Sequence, residues 1–287
     1  MKYQEPPVKY VVARLKFSNV FGRYPEEKYK AVLDKLDSLS LERTVVSKVS
    51  QFQLRHSGDD VQFSEGSVDR VGFFSANGKR CGIISEQVLE LRLSEYDDHK
   101  HFLDDAYKLY EIFIDNGFAV DNPVSEIELH YVDHFIPVDC ELADMFEGVT
   151  LPVGQFYSKD CDFFQFGGLN FTRILESKRE KVQVVLEQLP IRELPEGVPK
   201  GFAKVLPDTL LEPDNKLVMP ISVDYPDDSI GKHYAIVHTL GSRLITSEEN
   251  GAAIRQHLED LYRESRLTFD HMINTKVCNK IWKIKEE

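Results

Sequence analysis

The stretch VGFFSANGKRCGII, residues 71–84, carries the strongest local structural signal in the chain. Asn77 and Gly78 separate two runs that are rich in β-branched and aromatic residues, which are typical of strands. Asn-Gly is the pair that a type I′ hairpin turn requires, because both central residues of that turn need positive φ. Residues 88–93 form a third run, with apolar positions at period two. The sequence therefore predicts an antiparallel meander over residues 71–93.

Around the meander, the first half of the chain alternates between strand and helix patterns. Pro6 and Pro7 block a helix and lead into an apolar, β-branched run. Pro25 opens a helical stretch with acidic residues in its first turn. The patterns predict strands at 8–17, 44–55, 61–65 and 126–136, and helices at 26–39 and 97–116.

The second half resembles the first in its order of elements. It predicts aromatic strands within 155–175, further strands at 181–189, 216–224 and 236–244, and a terminal helix at 248–273. Pro220 marks one of these strands as an edge strand or a bulge.

The repeated order sets the expected architecture. We expect an α+β fold of two lobes, residues 1–150 and 151–287, which pack as one compact unit. Each lobe is an antiparallel sheet backed by a long helix. The order suggests a structural duplication, although chance likeness between two amphipathic helices explains it equally well.

Charge and composition narrow the class of function. The chain has 35 Lys and Arg against 48 Asp and Glu, a formal net charge of −13. That sign repels phosphate backbones and anionic membrane surfaces, so nucleic acid is disfavoured as a partner. No apolar run approaches the roughly 20 residues that a membrane span needs. The four cysteines are scattered and the N-terminus has no apolar leader, so we expect a cytoplasmic protein with reduced thiols.

Catalytic signatures are missing from the sequence. It contains no phosphate-binding glycine loop, no Gly-x-Ser-x-Gly and no Cys-x-x-Cys. His130 and His134 invite a metal hypothesis, but residues four apart on a strand are separated by about 13 Å and cannot share one ion. We therefore predict neither a metal nor a cofactor, and an enzyme is disfavoured.

One arrangement of carboxylates supports an alternative. Asp162, followed by Glu176-Ser177-Lys178, gives the order in which many metal-dependent nucleases place two acids and a lysine around a divalent ion. In this hypothesis the acids hold the metal and the lysine orients or activates the attacking water. The plainer interpretation of residues 176–181 is a solvated turn, since such triplets arise often by chance in a charged chain.

Several segments together carry a family resemblance. They are Pro6-Pro7-Val8 before the first strand, residues 73–91 with Tyr96 after them, the aromatic strand at 129–136, and Leu261-Tyr262 with Phe269 in the terminal helix. In these segments the chain resembles a sporadically distributed, uncharacterised family of bacterial proteins. The resemblance implies an accessory role, on mobile or defence-related gene islands, and brings no established activity with it.

The chain departs from that family at its two most polar recurring positions. The family usually has Asn where this chain has Asp133, and His where it has Tyr262. Any chemistry that those positions carry in the family is in doubt here.

These observations favour a non-catalytic binding or protein-interaction module. The expected partner is another protein or a second copy of the chain, and its natural place is a surface between the two lobes. The candidates for a ligand or partner surface are Tyr131, Asp133, His134, Phe164 and Tyr262, with Phe156, Tyr157, Phe163 and Phe166 as further aromatic lining. Core packing is the competing interpretation of each aromatic residue in this set.

Overall fold

In the computed structural model, the strands form one sheet and the helices pack against it. The described residues are 3–20, 26–57, 60–118, 122–148, 167–175, 177, 179–192, 201–202, 204–224 and 232–284. The strands are β1 (Val8–Phe17), β2 (Arg43–Ser57), β3 (Asp60–Phe74), β4 (Arg80–Ile84), β5 (Val88–Leu93), β6 (Val124–Phe135), β7 (Gly167–Ile174), β8 (Glu180–Arg192), β9 (Gly201–Phe202) and β10 (His233–Leu244). The helices are α1 (Glu26–Leu36), α2 (His99–Asp115), α3 (Ala253–Met272) and α4 (Thr275–Trp282).

The prediction of two lobes is wrong, because a single antiparallel sheet runs through both halves of the chain. Its strand order is β2-β3-β4-β5-β1-β6-β10-β8-β7, and the short β9 pairs with β8. β6 of the first half pairs with β10 of the second half along ten residues, from Phe135 opposite Ala235 to Glu126 opposite Leu244. Strands from both sides of residue 150 therefore belong to the same sheet, and the strands of the two halves do not form two equivalent sheets. The periodicity of a strand shows which side chains share a face, but it does not reveal the neighbouring strand.

The β3–β4 hairpin is confirmed, but its predicted turn type is wrong. Gly78 has φ of +71°, whereas Asn77 is not among the described residues with positive φ. The amide of Gly78 donates to the carbonyl of Ser75 at 3.0 Å, and Oδ1 of Asn77 accepts from the amide of Lys79 at 3.0 Å. One left-handed residue is therefore enough, since the Asn77 side chain stabilises the turn instead of adopting that conformation.

Two other sequence predictions are corrected in the same way. The separate strands expected at 61–65 and 71–76 are one strand, β3, which pairs with β2 over fifteen residues. Residues 216–224 form no strand: a short 3-10 turn, Asn215–Leu217, is followed by irregular chain. Pro220 lies in that irregular chain, where its missing N–H costs no ladder bond.

The two faces of the sheet are covered differently. On β1, Val11, Ala13 and Leu15 point toward the core that contains α1, α2 and the first part of α3. We call this side the helix face. Tyr10 and Val12 point the other way and pack beneath residues 204–224, which contribute Leu210, Leu217 and Met219. We call that side the charged face, since Arg14 and Lys16 of β1 lie on it as well.

Local signals fix the ends of the two long helices. Asp98 caps α2 by accepting a hydrogen bond from the amide of Lys100 at 2.7 Å. The predicted terminal helix begins later than expected, because Thr246 and Glu249 form a capping box around a short 3-10 turn and Gly251 then adopts φ of +72°. In the parts of the chain that are described, no helix combines the length and apolarity needed to cross a bilayer.

Candidate functional site

Three of the five residues predicted for a partner surface lie together on the helix face. Tyr131 and Asp133 project from β6 toward α3, and the ring of Tyr262 on α3 lies 6.0 Å from the ring of Tyr131. Tyr96 packs edge-on against Tyr131 at 6.1 Å. We call Tyr96, Tyr131, Asp133 and Tyr262 the tyrosine cluster. The sequence analysis named Tyr131, Asp133 and Tyr262 as candidates for a ligand or partner surface, but it did not place them in contact with one another or with Tyr96.

The tyrosine cluster contains a buried carboxyl group, Asp133, whose charged form is only partly stabilised by its surroundings. Burial raises the pKa of Asp133 to about 7, and the positive charges of Arg266 and Lys9 only partly offset this. Beside the cluster, Thr239 lies opposite Tyr131 on β10 and Ser265 follows Tyr262 on α3. The hydroxyl groups of Thr239 and Ser265 are buried and have no hydrogen-bond partner within the described chain. Because Tyr131 and Asp133 are buried under α3, a partner could reach them only if this helix moved away.

His134 lies on the charged face instead. Its Nε2 donates to the carbonyl of Val205 at 2.8 Å, and its ring stacks on Tyr234 at 6.1 Å. Burial lowers the pKa of His134 to about 4, so the imidazole is neutral at pH 7. The side chain thereby helps to hold residues 204–224 against the sheet.

The remaining sequence predictions fall outside the described residues. These are Phe164 and the other lining aromatics Phe156, Tyr157, Phe163 and Phe166, together with the nuclease residues Asp162, Glu176 and Lys178.

The charged face carries a chain of ion pairs that the sequence predictions missed. In β1, Arg14 lies between Glu90 of β5 and Glu128 of β6, directly opposite each of them in register. Arg14 donates through Nε to Glu90 at 2.7 Å and through Nη1 to Glu128 at 3.0 Å. Lys16, two residues further along β1, donates to the second oxygen of Glu128 at 2.5 Å. Three neighbouring strands are thereby linked through their side chains.

The same chain of ion pairs continues toward the edge of the sheet. Arg92 of β5 bonds to Glu90 through Nε at 2.5 Å and to Glu212 through Nη1 at 2.7 Å. Arg70 of β3 bonds to Glu212 with both terminal nitrogens. Glu212 lies on the irregular segment 204–224, so one carboxylate ties that segment to two strands.

Glu90 and Glu212, two acids of this chain of ion pairs, are ionised at neutral pH. Burial alone would raise the pKa of Glu90, but the guanidinium groups of Arg92 and Arg14 outweigh it and lower the pKa to about 2. The pKa of Glu212 is also lowered, because hydrogen bonds from Arg70 and the charge of Arg92 outweigh its burial. The pKa of Arg92 is raised, since Glu90 and Glu212 favour its charged form. These groups therefore hold fixed charges at neutral pH.

Two histidines end the chain of ion pairs near the middle of the sheet. Nε2 of His130 lies 3.4 Å from Glu128, and its Nδ1 lies 3.0 Å from Nε2 of His238 on β10. Burial and the positive charge of Arg14 lower the pKa of His130, and burial lowers that of His238 to about 3. Considering only the described residues, no group of three or more His, Cys, Asp or Glu side chains is arranged to hold a metal ion.

A cavity of about 270 Å³ opens where the ion pairs meet the irregular segment. Its charged lining consists of Arg14, Arg70, Arg92 and Glu90. We call it the arginine cavity. The rest of its lining is Ser85, Thr209, Val49, Val68, Leu210, Leu211 and Pro213. A second cavity of about 300 Å³ lies at the start of α2, but its lining is mainly acidic and its residues form no comparable network.

One sequence signal could have located the arginine cavity. Charged residues occupy alternate positions in strands that are otherwise apolar: Arg14 and Lys16 in β1, Glu90 and Arg92 in β5. Such alternation places charges on one face of a sheet. The contribution of Glu212 had no comparable signal, because it comes from irregular chain.

Comparison with known proteins gives no further indication of function. The chain matches no protein-family model, no curated protein and no solved structure. Its candidate site therefore rests on its own geometry.

Proposed function

We propose that this chain is a non-catalytic binding protein and that the arginine cavity is its ligand site. The observation that carries the proposal is a cavity whose charged walls are held in place by ion pairs spanning several strands. Side chains that are fixed before binding lose little conformational entropy when a ligand arrives. The arrangement therefore suits recognition of a small molecule.

The titration behaviour of the lining favours binding over catalysis. A general acid or base works best when its pKa lies near the working pH. The pKa of Glu90 is about 2, and that of Arg92 is raised above its ordinary value. Neither group exchanges a proton readily at neutral pH, so both are suited to hold a charged or polar ligand rather than to transfer its protons.

A ligand screen with a cavity-filling variant tests the proposal. Saturation-transfer NMR with the full chain would detect binding from a set of small anionic, cationic and neutral polar molecules. Ser85→Trp places a bulky ring in the cavity wall, and we expect it to abolish the binding that the wild type shows. Ser38→Trp, at an exposed position after α1, is the matched control and should bind normally. A blank screen, or binding that Ser85→Trp leaves unchanged, would contradict the proposal.

Other expectations from the sequence keep their own tests. A protein partner or homo-oligomer and a cytoplasmic location stay predictions, as does the family resemblance; light scattering of the purified chain checks its oligomeric state. The nuclease alternative also stays a prediction. Cleavage of DNA with Mg²⁺ or Mn²⁺ that is lost in Glu176→Ala would support it.

A further inference from the structure

We infer that the ligand of the arginine cavity is a small oxyanion, a carboxylate or a phosphate, bound by Arg14 and Arg70. This inference rests on the proposed function and adds the charge class of the ligand.

The charge of the lining is the first argument. Three arginines and one glutamate line the cavity, and Glu128 and Glu212 pair with the same arginines, so three carboxylates offset the three guanidinium charges. The chain as a whole carries −13. The overall field repels long polyanions, whereas a small anion at this locally balanced site can bind to arginine N–H groups that the ion pairs leave unused.

Unused donors are the second argument. A guanidinium has five N–H donors and no acceptor. Arg14 uses Nε and Nη1 for its two ion pairs, and Arg70 uses Nη1 and Nη2 for Glu212. Nη2 of Arg14 and Nε of Arg70 have no hydrogen-bond partner in the described chain. Neither atom is fully buried. Both atoms therefore remain accessible to solvent and can donate to a ligand.

The state of the lining glutamate argues against a cation. Both oxygens of Glu90 already accept from arginine, one from Arg14 and the other from Arg92. An incoming cation would have to compete with two guanidinium groups for this carboxylate. An oxyanion meets free N–H groups instead, and charge-assisted bonds from arginine to an oxyanion are among the stronger hydrogen bonds in proteins.

The volume of the cavity limits the size of the anion. Pockets for drug-sized ligands measure roughly 300–1,000 Å³, and this one measures about 270 Å³. The hydroxyl groups of Ser85 and Thr209 in its wall can donate to further oxygens. A compact mono- or dicarboxylate, or a phosphate group with a short substituent, fits these dimensions.

Calorimetric titration at constant ionic strength tests the inference. The probes are inorganic phosphate and succinate, which separate the two sources of oxyanion, with tetramethylammonium as the cationic control. We expect one of the anions to bind saturably and the cation not to bind.

Variants then locate the binding. Arg14→Met and Arg70→Met should each weaken the anion by about tenfold or more, since each removes a charge-assisted donor. Arg14→Lys keeps the charge but loses the fork of donors, so it should also weaken binding if Arg14→Met fails to fold. Arg255→Met removes an exposed arginine on α3 and is the matched control.

The outcomes separate this inference from the proposed function. One outcome of the NMR screen is that only neutral or cationic ligands bind and that their binding is lost in Ser85→Trp. In that case the oxyanion inference is overturned and the proposed function stands. If anions bind equally well to wild type, Arg14→Met and Arg70→Met, the inference is overturned. A screen in which no molecule binds would contradict both the oxyanion inference and the proposed function.

Discussion

Glu90 on the charged face and Asp133 on the helix face are buried to almost the same degree, at 7% and 5% exposed. Their pKa values nevertheless move in opposite directions, to about 2 for Glu90 and to about 7 for Asp133. Glu90 accepts hydrogen bonds from Arg14 and Arg92. Within the part of the chain that the structure describes, only the charges of Arg266 and Lys9 oppose the effect of burial on Asp133.

The difference shows that partners, rather than burial, decide what a buried carboxylate does. A paired acid stays charged and anchors its neighbours, so breaking the pair leaves a buried charge without compensation. An unpaired acid is more stable in its neutral form and makes the folded state sensitive to pH. The two faces of one sheet therefore respond to mutation and to pH in different ways.

Breaking the network on the charged face should give the largest effect. Glu90→Ala leaves the half-buried Arg14 and the buried Arg92 with one carboxylate partner each, and we expect the free energy of unfolding to fall by about 3–5 kcal/mol. Urea unfolding at pH 7 measures it. Glu95→Ala is the control, because Glu95 is 64% exposed in its pair with Lys79 and should change stability by about 1 kcal/mol or less. Equal effects of the two variants would contradict the contrast between paired burial and surface pairing.

Neutralising the unpaired acid on the helix face should stabilise the protein at high pH. The folded-state pKa of Asp133 is raised from 3.8 to about 7. Between these values the unfolded chain releases a proton that the folded chain keeps, so stability is lost as pH rises through this range. From pH 5 to pH 8 the wild type should lose about 3 kcal/mol more stability than Asp133→Asn.

Urea unfolding of both proteins at pH 5, 6.5 and 8 checks this slope. Asp97→Asn, at an exposed position just before α2, should follow the wild type. If the stability of wild type and Asp133→Asn changes in parallel with pH, then Asp133 does not titrate in this range.

The smallest expected effect tests the packing of α3 against the sheet. A Cβ on Gly241 of β10 would lie 2.6 Å from Oγ of Ser265. Gly241→Ala should cost about 1–2 kcal/mol, as overpacking does. Ser265→Ala removes the clashing hydroxyl, which has no partner within the described residues.

A double-mutant cycle measures this contact by thermal unfolding. Gly241→Ala combined with Ser265→Ala should be more stable than the sum of the single effects predicts, by about 1 kcal/mol. Gly66→Ala is the control, because a Cβ there meets nothing within 4 Å. Strictly additive single effects would show that α3 can shift to relieve the clash.

Local sequence signals predicted much of the secondary structure. The bounds of β1 and β5 and the hairpin between β3 and β4 follow from turn residues and periodicity. These features depend on interactions within a few residues along the chain. The strand predicted at residues 216–224 was wrong. The apolar side chains of this segment pack against Tyr10 and Tyr234, but its backbone pairs with no described strand.

The architecture and the arginine cavity depend on register between distant strands. Arg14 meets Glu90 and Glu128 only because β1 lies between β5 and β6. No local pattern places β10 beside β6, so the single sheet could not be distinguished from two. Tyr131, Asp133 and Tyr262 were named from the sequence only as separate candidates, because their meeting beneath α3 depends on how that helix packs on β6.

The position of β10 has a consequence for synthesis of the protein. β10 is the last strand of the described chain, yet it lies between β6 and β8 and pairs with both. Until residues 233–244 leave the ribosome, β6 and β8 each have one edge without its final neighbour. Unpaired edges are templates for association with other chains. A chain whose synthesis stops before residue 244 therefore keeps two strand edges that can pair with other chains. We expect it to aggregate rather than persist as a shorter folded protein.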